Sequence, residues 1–126
     1  MLTWLTANGK YKLKFDLQSR KNGNWYYAEF STFVVLPEAQ NYKLQVAGYS
    51  GNAGGERFTS VHNGRMFTTY DRDNDLWPDG NCACGGFWYN WCYQCGVNNG
   101  IPNIFEWYDL PGGRLLQTSR MWLQCK

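Results

Sequence analysis

From Lys10 to Gln18 polar and apolar side chains alternate. Tyr11, Leu13, Phe15 and Leu17 fall on one side of Lys12, Lys14, Asp16 and Gln18. That period of two predicts a strand with one face buried and the other wet. Ser19 to Asn24 carries an Asn22-Gly23 pair and reads as a turn. Trp25 to Val35 is rich in aromatic and β-branched residues and predicts the returning strand. Pro37-Glu38-Ala39 interrupts, and Tyr42 to Ala47 predicts a third strand, so the short connections imply an antiparallel meander. Gly48 to Gly55 reads as loop, Glu56 to His62 as a short helix, and Asp71 to Asn103 as irregular structure. Leu115 to Gln124 predicts one more strand. The 126 residues suit a single domain: a meander over 1–47, a loop-rich region over 48–114 and a closing strand over 115–126.

The aromatic share of 18%, with seven Trp, exceeds ordinary usage, and most of these rings must be core. A net charge of +2 offers no electrostatic case for nucleic acid or an anionic membrane. No apolar run approaches the roughly 18–20 residues of a membrane span. Met1 to Thr6 lacks the basic start and apolar stretch of a secretory leader. The five cysteines nevertheless suit an oxidising compartment. Either a leader has been removed, or the sequence is one segment of a larger extracellular protein. No Asn-x-Ser/Thr acceptor occurs, so N-glycosylation is not expected.

Chemistry concentrates after residue 70. Asp71, Asp73, Asp75 and Asp79 lie on a stretch broken by Pro78 and Gly80. Acids at alternate positions of a looping backbone can turn several oxygens onto one hard cation. Calcium takes about six to eight oxygens at roughly 2.3–2.6 Å and tolerates irregular geometry. Without a cation the same carboxylates mainly repel one another, as in a solvated acidic turn. An EF-hand is excluded, since its sixth position would be Leu76 and its twelfth Cys82. Cys82, Cys84, Cys92 and Cys95 follow as C-x-C-x7-C-x2-C, with Cys125 alone near the end. Spacing cannot choose among the possible disulfide pairings. Zinc is the competing chemistry, but this spacing matches common zinc sites poorly. Cys125 is expected to be either free and buried or paired with another molecule. His62, the one histidine, sits beside Asn63-Gly64 and is expected to pack or to form a turn. No phosphate loop or paired catalytic carboxylates stand out, and no enzymatic activity is expected.

Several motifs in order resemble the C-terminal fibrinogen-like domain found in fibrinogen, ficolins, tenascins and angiopoietins. They are Gly48-Tyr49-Ser50-Gly51-Asn52-Ala53-Gly54, His62 to Thr69, the acidic loop, Gly80-Asn81-Cys82-Ala83, and Gly85-Gly86-Phe87-Trp88-Tyr89-Asn90-Trp91-Cys92. Leu13 to Leu17, Ala28 to Phe33 and Ser119-Arg120-Met121-Trp122-Leu123 extend the likeness over nearly the whole sequence. The resemblance implies an α+β fold: a twisted antiparallel sheet, closed by the last strand, plus a loop-rich region stabilised by calcium and disulfides. The family's domain is longer. Its N-terminal subdomain would precede residue 1, and the stretches 83–86 and 100–107 are shortened here.

The resemblance further implies Ca2+ held by the carboxylates of Asp73 and Asp75 and by backbone carbonyls near Trp77 and Asp79, with Asp71 as a structural hydrogen-bonding residue. It implies a Cys82–Cys92 disulfide with Cys84–Cys95 as an extra bridge. The shortened 83–86 stretch leaves open the alternative of Cys82–Cys95 with Cys84–Cys92. In lectin members a pocket for acetyl groups adjoins the metal loop. It uses aromatic walls, a backbone donor exposed by a cis peptide before the second cysteine, and a following His. Here that peptide is Trp91–Cys92 and the following residue is Tyr93. Trp91, Cys92, Tyr93 and Tyr108 are therefore the ligand-binding candidates; Phe87, Trp88, Tyr89 and Trp91 could form an aromatic floor for the pocket or pack in the core, and core packing is the reading favoured for Trp88. The expected function is calcium-dependent recognition of acetylated glycans in a secreted, innate-immune type of lectin. The alternative is an extracellular assembly or protein-interaction module whose calcium is structural. Oligomerisation would come from segments outside this sequence.

Overall fold

A computed structural model describes residues 6–7, 9–83, 85–90, 92 and 106–125. The alternation in the first strand governs the sheet. In β1 (Tyr11–Ser19) the side chains of Leu13, Phe15, Leu17 and Ser19 are buried and those between them half-buried. The turn after it is closed by Ser19 N–H donating to Asn24 O at 2.9 Å and Gly23 N–H donating to Ser19 O at 2.9 Å. β2 (Trp25–Val35) returns antiparallel, with Phe15 opposite Ala28 and Leu13 opposite Phe30. Its inward set changes from Ala28 and Phe30 to Phe33 and Val35 across exposed Ser31 and Thr32. Gly48 of the next strand packs against Ser31 there, where any Cβ would collide.

A 3-10 turn (Glu38–Gln40) follows Pro37, and Asn41 and Tyr42 both take φ of 53°. The third strand therefore starts later than its residue types suggest. β3 is Leu44–Gly51 rather than 42–47, and it continues through the Gly-Tyr-Ser-Gly segment expected to be loop. Hydrogen bonding to β2 explains the extension, since Gly51, Ser50 and Tyr49 pair with Ala28, Glu29 and Phe30. β4 (Leu116–Cys125) pairs with the other side of β1, and the order is β3-β2-β1-β4, antiparallel throughout. The expectation of a closing strand in the central sheet holds. Exposed Trp122 reaches across to β1, where its Nε1 donates to Asp16 Oδ2 at 2.6 Å, a link between residues 106 positions apart. Cys125, free and exposed, ends β4 and so is not buried.

The helical contribution among the described residues is slight. The expected helix at 56–62 is a single wide turn, its Phe58–His62 part in π geometry. Its buried Phe58 stacks on Trp107 at 5.6 Å and 17° and meets Phe15 and Phe30 at 5.1 and 5.0 Å. Phe87, Trp88 and Tyr89 complete this core, the role favoured for Trp88 and the alternative to a pocket floor for the other two. Each such residue contributes about 1.5–3 kcal/mol by leaving water. The loop region is thus anchored on the sheet by aromatic packing.

Candidate functional site

The acidic loop is stitched by side-chain amides and carboxylates rather than by regular structure. Thr69 and Arg72 exchange backbone hydrogen bonds at 3.1 and 3.2 Å around Tyr70 and Asp71. Asp71 Oδ1 accepts from the Thr69 hydroxyl at 2.7 Å, the structural part expected of it. Asn74 donates its backbone N–H to Thr68 Oγ1 at 2.9 Å and its Nδ2 to Phe67 O at 3.0 Å. Asn81 Nδ2 donates to Thr69 O at 3.0 Å, while its Oδ1 accepts from Ala83 N–H at 2.9 Å. Leu76 N–H donates to Asn90 O at 2.7 Å, tying the loop to the aromatic segment.

Asp75 sits at the centre of this network. Its Oδ1 accepts from Trp77 N–H at 2.9 Å and its Oδ2 from Cys82 N–H at 2.8 Å. Asp73 Oδ1 accepts from Asp75 N–H at 3.3 Å, so Asp73 and Asp75 are directly linked. Asp73 and Asp79 are exposed, and Trp77 is half-buried with its ring folded over Gly80. Among the described residues no three His, Cys, Asp or Glu side chains gather around one metal-sized point. The link between Asp73 and Asp75 runs from a backbone N–H to a carboxylate oxygen. Each carboxylate oxygen has two lone-pair directions, so the donors of Asp75 leave acceptor capacity for a cation. The exposed carboxylate of Asp73 and the half-buried carboxylate of Asp75 are hard, anionic oxygen donors of the kind calcium takes.

Cys82 is buried and bonded to Cys92 with Cα atoms 4.9 Å apart. That is the first of the two pairings the resemblance left open. Cys92 holds a φ of 123°, a conformation that residues with a Cβ rarely adopt and that surroundings must enforce. Trp91, Tyr93, Cys84 and Cys95 lie outside the described residues, and with them the Trp91–Cys92 peptide. Tyr108 is 45% exposed and stands between two guanidiniums, with Arg57 Cζ 4.7 Å and Arg114 Cζ 5.9 Å from its ring centre.

Behind the loop, His62 is buried against Phe58 and Phe87 at 5.6 and 5.3 Å. Its Nδ1 lies 2.9 Å from Trp88 O, so Nδ1–H is the donor and Nε2, without a partner, keeps its lone pair. Burial, with a smaller contribution from Arg65, lowers its pKa to about 4, although the Trp88 carbonyl opposes the shift. The ring serves as packing. The stitching residues Asn74, Asn81 and Asn90 are not among those that residue type and spacing single out. Their one signal is three asparagines in a segment with no strand or helix period.

The family model for the C-terminal globular domain of the fibrinogen beta and gamma chains matches residues 1–109. Human angiopoietin-related protein 2 is 47% identical over 92 residues, which cover 71% of this chain and 18% of that protein. The solved fibrinogen-like globe domain of human ANGPTL2 superposes with a TM-score of 0.82 at 34% identity, covering 98% of this chain and 62% of that one. Lamprey fibrin D-dimer, solved with the peptide Gly-His-Arg-Pro-amide, gives a TM-score of 0.77 at 25% identity, covering 97% of this chain and 47% of that one. The protein thus spans less than two thirds of the relatives it matches.

Proposed function

The chain belongs to the fibrinogen C-terminal domain family, and we propose that it is an extracellular recognition domain whose calcium loop supports an adjoining site for acetylated glycans. One observation carries this reading. A single carboxylate, Asp75, holds the N–H of Cys82, and Cys82 is bonded to Cys92 in its strained conformation. A cation on Asp73 and Asp75 would therefore act directly on the backbone that presents Cys92. The ligand site comprises Trp91, Cys92, Tyr93 and Tyr108, and the metal shell adds carbonyls near Trp77 and Asp79. The Cys82–Cys92 disulfide suits an oxidising, secreted setting. Bound calcium supplies charge neutralisation at the two aspartates. Among the described residues no helix is long and apolar enough to cross a membrane.

Retention on an N-acetylglucosamine resin in millimolar calcium, eluted separately by EDTA and by acetate, tests this. Release by both supports a calcium-supported acetyl site. Failure of folded, calcium-loaded protein to bind removes the acetyl reading.

A second reading has its own support. Both oxygens of Asp75 already accept backbone N–H donors, so the acidic loop can hold its shape from within. The domain would then recognise peptide or protein, as the lamprey relative carries a peptide, with calcium as a structural ion. Calcium titration of thermal stability, together with loss of resin binding, favours that reading.

A further inference from the structure

The two edges of the sheet differ. At β3 the edge is covered: Leu44 N–H donates to Arg65 O at 3.0 Å, Gly64 N–H to Leu44 O at 2.8 Å, and Val46 N–H to Asn63 Oδ1 at 2.8 Å. β4 forms the opposite edge. Among the described residues no segment beyond the sheet bonds to the backbone of Arg120, Met121, Trp122 or Leu123. These four side chains are exposed in an unbroken row. Open strand edges pair readily with other strands, and proteins commonly guard them by short length, proline, charge or a covering loop.

β4 carries none of these guards. It runs for 10 residues without proline, against about 5–6 for a usual strand. Its one charged side chain, Arg120, reaches back across the sheet to the Trp25 ring, 5.1 Å from the ring centre. Met121 and Leu123, 45 and 36% exposed, stand beside Phe15 and Leu13 and carry the apolar face of the sheet out to its rim. Trp122, 44% exposed, lies on the other face and is fixed by its bond to Asp16. The edge is therefore apolar on both faces and already held as a strand, so little ordering is left for an incoming strand to impose.

We propose that β4 pairs antiparallel with β4 of a second copy of this chain, joining two four-stranded sheets into one. The strand is complementary to itself about Trp122. There Trp122 faces its counterpart, Met121 faces Leu123 and Arg120 faces Gln124, so apolar meets apolar on both faces and no like charges oppose. A two-fold axis at Trp122 uses residues 119–125, within the part of β4 that pairs regularly with β1. Centring on Arg120 would set two guanidiniums opposite each other, and centring on Met121 would draw in Gln117, where the ladder with β1 slips. Because the β3 edge is covered, assembly closes at two copies. The contact lies within the sequence itself and uses neither the acidic loop nor Cys92, so it stands whether or not the acetyl reading does.

The test is sedimentation equilibrium of the full chain, with Cys125→Ser throughout to remove disulfide-linked dimers. A closed dimer in the roughly micromolar range is expected, as for a small interface. Met121→Lys and Leu123→Glu should each weaken it about tenfold or more, since each alters two symmetry-related contacts. Carrying both substitutions should restore it, because each new cation then faces a new carboxylate on the other copy. Gln45→Lys, an exposed charge on the covered β3 edge, should have no effect. The double variant decides, since misfolding cannot restore association. A monomer up to millimolar concentration, which would leave the edge to a strand of another protein, overturns the proposal. Open-ended assembly, an equal effect of Gln45→Lys, or a double variant no tighter than the single ones overturns it as well.

Discussion

Acidification should destabilise this domain through His62. The folded pKa is about 4 against an ordinary 6.5, because a charged ring would be buried among Phe58, Phe87 and Trp88. Above pH 6.5 the ring is neutral in both states and the full stability is present. Between pH 6.5 and about 4 the unfolded state binds a proton that the folded state refuses, so stability falls with falling pH. Each pH unit in that window costs about 1.4 kcal/mol, and the whole window costs roughly 3 kcal/mol. Below pH 4 this loss levels off. The assay is urea denaturation from pH 7.5 to 3.5 on wild type and His62→Leu, comparing stabilities at each pH. The variant loses the Trp88 hydrogen bond and some packing at every pH, yet the gap between the two proteins should shrink on acidification. Carboxylates titrating in the same range affect both proteins and cancel in the difference. A gap constant from pH 7 to 4 would refute the reasoning, since it would mean that His62 titrates alike in both states.

Other outcomes follow from the loop and the sheet. Asp75→Ala removes two charge-assisted hydrogen bonds, one from buried Cys82 N–H, and should cost about 3 kcal/mol in calcium-free denaturation. At the proposed calcium site, Asp73→Ala should cost little without calcium but abolish the gain expected of wild type on adding it. That gain should be about 0.6–1.8 kcal/mol at about 2 mM for an extracellular-type site, read by thermal shift. Gly51→Ala forces a side chain onto the Tyr27 carbonyl at φ +138° and should lower stability by about 2 kcal/mol or more. Replacing Cys82 and Cys92 with Ser opens a loop of sequence separation 10 and should cost about 3 kcal/mol, seen as a lower urea midpoint.

The sheet was largely legible because its signal is local. Leu13, Phe15 and Leu17 alternate with polar residues, and each turns inward as that pattern demands. β3 was misplaced at both ends for reasons a single strand cannot display. Asn41 and Tyr42 adopt left-handed conformations that delay its start, and β2 supplies the pairing that carries it through Gly48 and Gly51. In the loop, the residue types announced hard oxygen ligands. They could not announce that Asp75 also spans seven positions to hold Cys82, a bond that depends on how the backbone doubles back. The end of the sheet was invisible for the same reason, because Arg20 meets Leu115 only when β1 and β4 pair.

That pairing also sets an order of events at the ribosome. β1, β2 and β3 can form their meander as soon as they emerge, because their contacts are between near neighbours in sequence. The other edge of β1 must wait for β4, whose Trp122 joins Asp16 across 106 positions. During that interval the nascent sheet presents an unpaired strand edge beside apolar Leu13 and Phe15, a surface prone to wrong partners. Closure of the long loop makes the last step slow relative to the first. A polypeptide ending before Leu116 would lack that step altogether, and holding chaperones would meet it as an open-edged hairpin array.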